Sequence, residues 1–173
     1  RNHSSAASDV YKRQGEVMGL DMDLGVAFYK SQLAAGTQLP MEGNVFISVK
    51  DRDKPRAAEL AREFHELGFQ LYATEGTAKA LEEADIPVNK LLKVSEGRPN
   101  VMDMIKNGEI DLVINTPAGR NPRIDEVKIR TAAMGSRVAT MTTLRAAHQS
   151  AAAIRSLKSE KLAVQPLQDY QAT

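Results

Sequence analysis

Apolar runs of strand length alternate with helical patterns along most of this sequence, and this alternation limits the folds open to the chain more than any other feature. The strand-type runs cover residues 44–49, 69–73, 88–92, 110–115 and 137–140, and amphipathic stretches separate them. Strands that alternate with helices at this spacing form parallel βαβ units. The sequence therefore predicts an α/β fold, a three-layer α/β/α sandwich with a five-stranded parallel sheet.

The residues before the first strand divide into two segments. Residues 1–14 are polar, rich in small side chains and aperiodic, so we expect a disordered or non-native tail without function. In residues 15–43, a helix that carries Leu24 on its apolar side ends at Gly36, and a linker follows. We therefore expect the main domain to occupy residues 44–173.

Composition excludes several classes of function. A net charge of +1 argues against nucleic acid as the main partner, because a phosphate backbone requires a pronounced basic stripe. The chain has no cysteine, which excludes disulfides, thiolate metal sites and a cysteine nucleophile. No run is long and apolar enough for a membrane span or a signal peptide. We therefore expect a soluble, cytoplasmic protein with neither membrane nor nucleic acid as a partner.

The turn between the second predicted strand and its helix, Thr74-Glu-Gly-Thr77, is the first candidate site. The first amides of such a helix point at one spot, and the positive end of the helix dipole favours an anion there. Gly76 lets the backbone approach a ligand, and the hydroxyls of Thr74 and Thr77 can bind phosphate oxygens. The same hydroxyls can instead cap the helix, which is the commoner role of threonine at this position.

Further polar residues follow the other predicted strands. In an open parallel sheet, ligands bind beyond the carboxyl ends of the strands. The segments that end there supply cations, a hydroxyl and an amide: Lys54, Lys93, Arg98, Arg120, Ser48 and Asn115. Together these residues predict a pocket for a small phosphate ester, although each of them alone also suits a solvated or purely structural role.

No catalytic constellation accompanies this pocket. The three histidines, His3, His65 and His148, fall outside the strand-end loops, and no carboxylates pair at the spacing of metal ligands. The sequence also lacks a Gly-rich nucleotide loop that ends in Lys-Ser or Lys-Thr. We therefore assign no catalytic residue and no metal ligand, and a binding module fits the chain better than an enzyme.

Six motifs, in order, resemble the C-terminal regulatory domain of the carbamoyl phosphate synthetase large subunit. They are Ser48-Val-Lys-Asp-Arg-Asp-Lys54, Tyr72-Ala-Thr-Glu-Gly-Thr-Ala78, Lys93-Val-Ser-Glu-Gly-Arg-Pro99, Ile105-Lys-Asn-Gly108, Val113-Ile-Asn-Thr-Pro117 and Gly119-Arg120. The resemblance implies a methylglyoxal-synthase-like fold for residues 44–173. It also implies that residues 15–43 are the end of the preceding ATP-grasp synthetase half plus a linker.

The resemblance implies an allosteric role in a glutamine-hydrolysing synthetase that serves pyrimidine and arginine biosynthesis. In similar bacterial domains UMP inhibits, IMP activates and ornithine acts at the junction with the synthetase half. The implied partners are the nucleotide effector, the synthetase halves, a small glutaminase subunit and the large-subunit oligomer. The whole enzyme would use ATP with Mg or Mn, whereas this fragment would need no cofactor and would be non-catalytic.

The resemblance also assigns roles to individual residues. The family's phosphate-binding positions match Lys54, Thr74, Thr77 and Lys93, and we group Gly76 with them. The positions around sugar and base match Ser48, Val101 and Asn115, and we place Arg120 in this group. The double threonine beside the family's ornithine site matches Thr142 and Thr143. Pro117 replaces a threonine that contacts the nucleotide in some members, and proline offers neither a hydroxyl nor an N–H.

Three alternatives differ from the nucleotide sensor. Methylglyoxal synthase is similar in fold, but that family carries a Gly-Gly-Asp pattern with the catalytic base where this chain has Gly97-Arg-Pro-Asn100. The cyclohydrolase half of a bifunctional purine enzyme is also similar, yet the Ser-Glu-Gly-Arg-Pro run is closer to the synthetase. The third alternative is a subunit-contact module that responds to no effector.

Overall fold

A computed structural model of the chain describes residues 19–21, 23–117 and 124–159. A short 3-10 turn, Asp51–Asp53, precedes the second helix. The elements run in the order α1 (Leu24–Ala34), β1 (Asn44–Ser48), α2 (Lys54–Glu66), β2 (Gln70–Thr74), α3 (Glu75–Glu82), β3 (Asn89–Leu91), α4 (Val101–Lys106), β4 (Leu112–Asn115), α5 (Ile124–Gly135), β5 (Ala139–Met141) and α6 (Leu144–Ser159).

The five strands form one sheet in the order β3-β2-β1-β4-β5, and every neighbouring pair is parallel. The chain builds outward from β1 in one direction through β2 and β3, and then in the other through β4 and β5. The switch point therefore lies between β1 and β4, whose last residues, Ser48 and Asn115, are register partners. The predicted α/β fold with a five-stranded parallel sheet is confirmed.

Apolar side chains cover both faces of the sheet, as a parallel sheet requires. One face packs Val45, Ile47 and Leu71 of the strands against α2, α3 and α6. The other face packs Phe46 and Val113 against α4 and α5. Strands buried on both faces read as continuous apolar runs, which explains why β1 and β4 were visible in the sequence.

The helix before the sheet, α1, packs against α6. Leu24, predicted on its apolar side, is 70% exposed, so this part of the prediction is wrong. The buried residues of α1 are Gly25 and Val26. An ideal Cβ at Gly25 would lie 3.0 Å from the backbone of Ala153, so the two helices approach closely where both carry small residues. Phe28 and Tyr29 of α1 also pack against the core, so the buried face of the helix combines small residues with these two aromatic side chains.

The predicted division of the chain at residues 14 and 43 stays a prediction, and its first segment, residues 1–14, lies outside the described residues. Among the described helices, none combines the length and the apolar character needed to cross a membrane.

Candidate functional site

A cavity of about 700 Å³ opens at the carboxyl edge of the sheet. Its size falls within the range of small-molecule sites, ~300–1,000 Å³. Residues after β1, β2, β3 and β4 and from the first turns of α5 line it. The sequence analysis named seven of them: Ser48, Lys54, Thr74, Gly76, Thr77, Lys93 and Val101. The cavity therefore lies where an open parallel sheet usually binds its ligand.

The start of α3 forms one wall of the cavity. Thr74 is the N-cap residue, but its side chain makes no capping hydrogen bond. The amides of the first turn of a helix lack intrahelical partners and carry a partial positive charge. An ideal Cβ at Gly76 would lie 3.4 Å from Nζ of Lys54, so the ammonium stands directly beside this turn. The helix start and the ammonium together offer an anion two kinds of positive partner.

Two buried threonines hold the loop after β1 in place. Thr77 Oγ1 accepts a hydrogen bond from the Val49 amide at 3.3 Å, and Thr116 Oγ1 accepts one from the Lys50 amide at 3.2 Å. Both threonines line the cavity and are nearly inaccessible to solvent. A hydroxyl that accepts a hydrogen bond still has its own O–H to donate. Each threonine can therefore position the loop and donate to a ligand oxygen simultaneously.

The opposite wall comes from the loop after β3, which the N-cap of α4 stabilises. Asn100 Oδ1 accepts a hydrogen bond from the Met102 amide at 2.9 Å, and the Asn100 amide donates to Asp103 Oδ2 at 3.2 Å. The Asn100 side chain also donates to the Gly97 carbonyl at 2.6 Å. These reciprocal bonds form a capping box that fixes the loop through its far end. The loop that carries Lys93 is therefore anchored by hydrogen bonds at its end, where α4 begins.

Charged side chains of both signs line the described part of the cavity. Beyond the predicted Lys54 and Lys93, the lining includes two basic and three acidic residues that the sequence analysis did not name as site residues: Lys50, Arg52, Asp51, Asp125 and Glu126. Their positions immediately after β1 and in the first turn of α5 could have identified them. Asp51 pairs with Lys54 at 2.7 Å, and Glu96 pairs with Lys93 at 2.7 Å. Both lysines predicted to bind phosphate thus pair with carboxylates.

The remaining predicted residues lie elsewhere. Arg98, expected among the cations of the pocket, is not in the cavity lining and pairs with Asp103 at 3.4 Å. Asn115 ends β4 but is buried, and its side chain donates a long 3.5 Å hydrogen bond to the Glu126 carbonyl rather than lining the cavity. Thr142 and Thr143 follow β5 outside the lining, and Thr143 Oγ1 accepts a hydrogen bond from the Ala146 amide. Arg120 lies outside the described residues. The predicted roles of these five residues stay predictions.

The cavity offers groups that can bind an anion, together with acidic side chains. Among the described residues, no group of three or more histidines or carboxylates is arranged to hold a metal ion. His148 pairs with Glu63 at 3.0 Å across α6 and α2, and neither residue lines the cavity. The lining combines ammonium groups, hydroxyls and helix amides, whose hydrogen bonds phosphate oxygens can accept, with the carboxylates of Asp51, Asp125 and Glu126.

The fold and the cavity define a class: a doubly wound α/β domain with a polar cavity at its switch point. A family model described as the MGS-like domain matches residues 56–142. The chain belongs to the MGS-like domain family.

Curated relatives extend this result beyond the matched segment. The chain is 55% identical over 150 residues to the C-terminal section of the carbamoyl phosphate synthase large chain of Aquifex aeolicus, covering 87% of this chain and 28% of that one. It is 49% identical over 160 residues to the carbamoyl phosphate synthase large chain of Archaeoglobus fulgidus, covering 92% and 15%. The resemblance stated from the six motifs is thereby confirmed. The chain spans less than a third of either relative.

Proposed function

We propose that this chain is the effector-binding part of a carbamoyl phosphate synthase large chain and that its cavity binds the phosphate of a nucleotide. The observation that supports this most strongly is the placement of Lys54 Nζ beside the first turn of α3 at Gly76. A phosphate there would receive hydrogen bonds from backbone amides and from an ammonium. Lys93 and the hydroxyls of Thr74 and Thr77 line the same cavity.

The nucleotide proposed is a monophosphate such as UMP or IMP. Ser48 and Val101 lie at the cavity wall, where sugar and base would pack once the phosphate is held at α3. Asn115 and Arg120 complete the proposed sugar and base contacts. Thr142 and Thr143 stand apart from the cavity, which suits a separate ornithine site against the synthetase half.

Regulation would follow from unequal binding of the nucleotide to two states of the large chain. Such coupling typically amounts to about 1 to 3 kcal/mol. In this proposal the whole enzyme is cytoplasmic, uses ATP with Mg or Mn, contains a glutaminase subunit and supplies carbamoyl phosphate for pyrimidine and arginine biosynthesis. The chain itself contributes no catalytic group.

Calorimetric titration of the 173-residue chain with UMP, IMP, uridine and inosine tests the binding claim. Each nucleotide should bind about tenfold or more tightly than its nucleoside, because charge-assisted hydrogen bonds to phosphate are worth at least ~1.4 kcal/mol together. Equal affinities for nucleotide and nucleoside would contradict a phosphate site.

The same preparation distinguishes the sensor from its alternatives. Supplied with dihydroxyacetone phosphate, it should release no methylglyoxal above a blank. Turnover would favour a methylglyoxal-synthase-like enzyme, whereas the absence of any nucleotide binding would favour a subunit-contact module.

A further inference from the structure

One carboxylate holds Lys93 at two points. Glu96 Oε1 lies 2.7 Å from Lys93 Nζ, and Glu96 Oε2 accepts a hydrogen bond from the Lys93 amide at 3.0 Å. The Glu96 amide in turn donates to the Lys93 carbonyl at 2.9 Å. The side-chain hydrogen bond from Lys93, followed by the backbone one, holds the pKa of the Glu96 carboxyl below its ordinary value. The contacts with Lys93 therefore favour the charged form of Glu96.

The two partners of this ion pair differ in position. Lys93 lines the cavity, whereas Glu96 does not. The carboxylate thus draws the ammonium towards its own turn, and a phosphate in the cavity has to share the ammonium or take it over.

Lys54 also lines the cavity, and the carboxylate paired with it should compete less strongly with a phosphate. Lys54 Nζ pairs with Asp51 at 2.7 Å, but the Asp51 side chain is 93% exposed, against 38% for Glu96. Solvent screens an exposed carboxylate strongly. The Asp51 carboxylate contacts the ammonium of Lys54, whereas the Glu96 carboxylate contacts both the ammonium and the backbone amide of Lys93. Glu96 is therefore the competitor with the larger expected effect.

We propose that Glu96 sets the affinity of the site by competing with the phosphate of the ligand for Lys93. This inference rests on the proposed function, since it requires a phosphate-bearing ligand in the cavity. It adds a residue outside the cavity wall that weakens binding, so the site releases its ligand more readily than its lysines alone would allow. A sensor needs such tuning, because an effector that never dissociates reports no change in concentration.

The test is Glu96→Gln in the 173-residue chain, titrated with UMP and IMP by calorimetry. Glutamine retains an oxygen that can accept the hydrogen bond from the Lys93 amide. The substitution therefore preserves the turn and removes the charge. The variant should bind both nucleotides about two- to fivefold more tightly, the range expected for release of an exposed ion pair. Uridine and inosine affinities should stay unchanged, because neither carries a phosphate.

Two controls test whether the effect of Glu96→Gln depends on its ion pair with Lys93. Glu82→Gln removes the same charge from a matched ion pair, Lys90 to Glu82 at 2.9 Å with side chains 53% and 44% exposed, and Glu82 does not line the cavity. It should leave nucleotide affinity unchanged. In a Lys93→Ala background, Glu96→Gln should lose most of its effect, because the contested ammonium is gone.

The outcomes separate this inference from the proposed function. If the wild type binds nucleotide and Glu96→Gln binds it equally well or more weakly, the inference alone is overturned. Glu96 would then be a purely structural residue. Failure of both the wild type and the variant to bind nucleotide would contradict the proposed function and the inference with it. Tighter binding that persists in the Lys93→Ala background would also overturn it.

Discussion

Lys54→Ala is expected to weaken UMP and IMP binding by about 2 kcal/mol, or roughly 30-fold, because hydrogen bonds to charged groups are worth ~1.5–3 kcal/mol. The side chain of Lys54 is 27% exposed, against 48% for Lys93, and its ammonium stands beside Gly76 at the start of α3. Solvent therefore screens it less, and Lys93→Ala should have the smaller effect. Calorimetry of the two variants measures both losses.

Lys79→Ala is the matched control. Lys79 is exposed on the same helix, α3, but does not line the cavity. Its removal takes away the same charge and should change nucleotide affinity by less than about twofold, as expected for a screened surface charge. If Lys54→Ala and Lys79→Ala behaved alike, the cavity would not be the phosphate site.

Gly76→Ala should stabilise the fold yet weaken nucleotide binding. Gly76 is helical and has an ordinary negative φ, so alanine should raise the free energy of unfolding by ~0.4–1 kcal/mol. Its Cβ would lie 3.4 Å from Lys54 Nζ, in the space that a phosphate oxygen needs between the ammonium and the helix amides. We expect UMP affinity to fall about tenfold, equivalent to ~1.4 kcal/mol. Urea unfolding and calorimetry measure the two effects separately.

The control for this prediction is Gly135→Ala. Gly135 ends α5, and a Cβ there would meet nothing within 4 Å. Alanine should be tolerated and nucleotide affinity should not change. Unaltered UMP binding in Gly76→Ala would mean that the phosphate does not approach the start of α3.

The sequence predicted the central strands of the sheet because they share one physical property. Parallel strands covered on both faces are apolar throughout, so β1 and β4 appear as short continuous runs. The edge strand β3 is shorter and more polar, with Asn89 and Lys90 exposed, and only its place in the alternation revealed it. The position of Leu24 was predicted wrongly because the closest contact of α1 runs through Gly25, which carries no apolar side chain to indicate a buried position.

The site was predictable to the extent that topology determines it. Residues after parallel strands meet at one edge, which is why Lys54, Thr77 and Lys93 line one cavity. Sequence position does not show which way a side chain points. Asn115 was predicted at the sugar and base, but its side chain is buried and donates to the Glu126 carbonyl. The role of Thr116 in holding the loop after β1 depends on a distance between residues far apart in the sequence. The ion pairs of both lysines join residues three positions apart, so the sequence spacing could have indicated them.

Amide NMR of the 173-residue chain during titration with UMP tests most directly whether the cavity is the phosphate site. The account predicts that the largest shift changes fall on Gly76 and Thr77 at the start of α3, with further changes in Lys93 to Ser95, and that uridine at the same concentration leaves the α3 amides in place. Changes confined to the region around His65 and Asn89, which line a separate pocket, would contradict it.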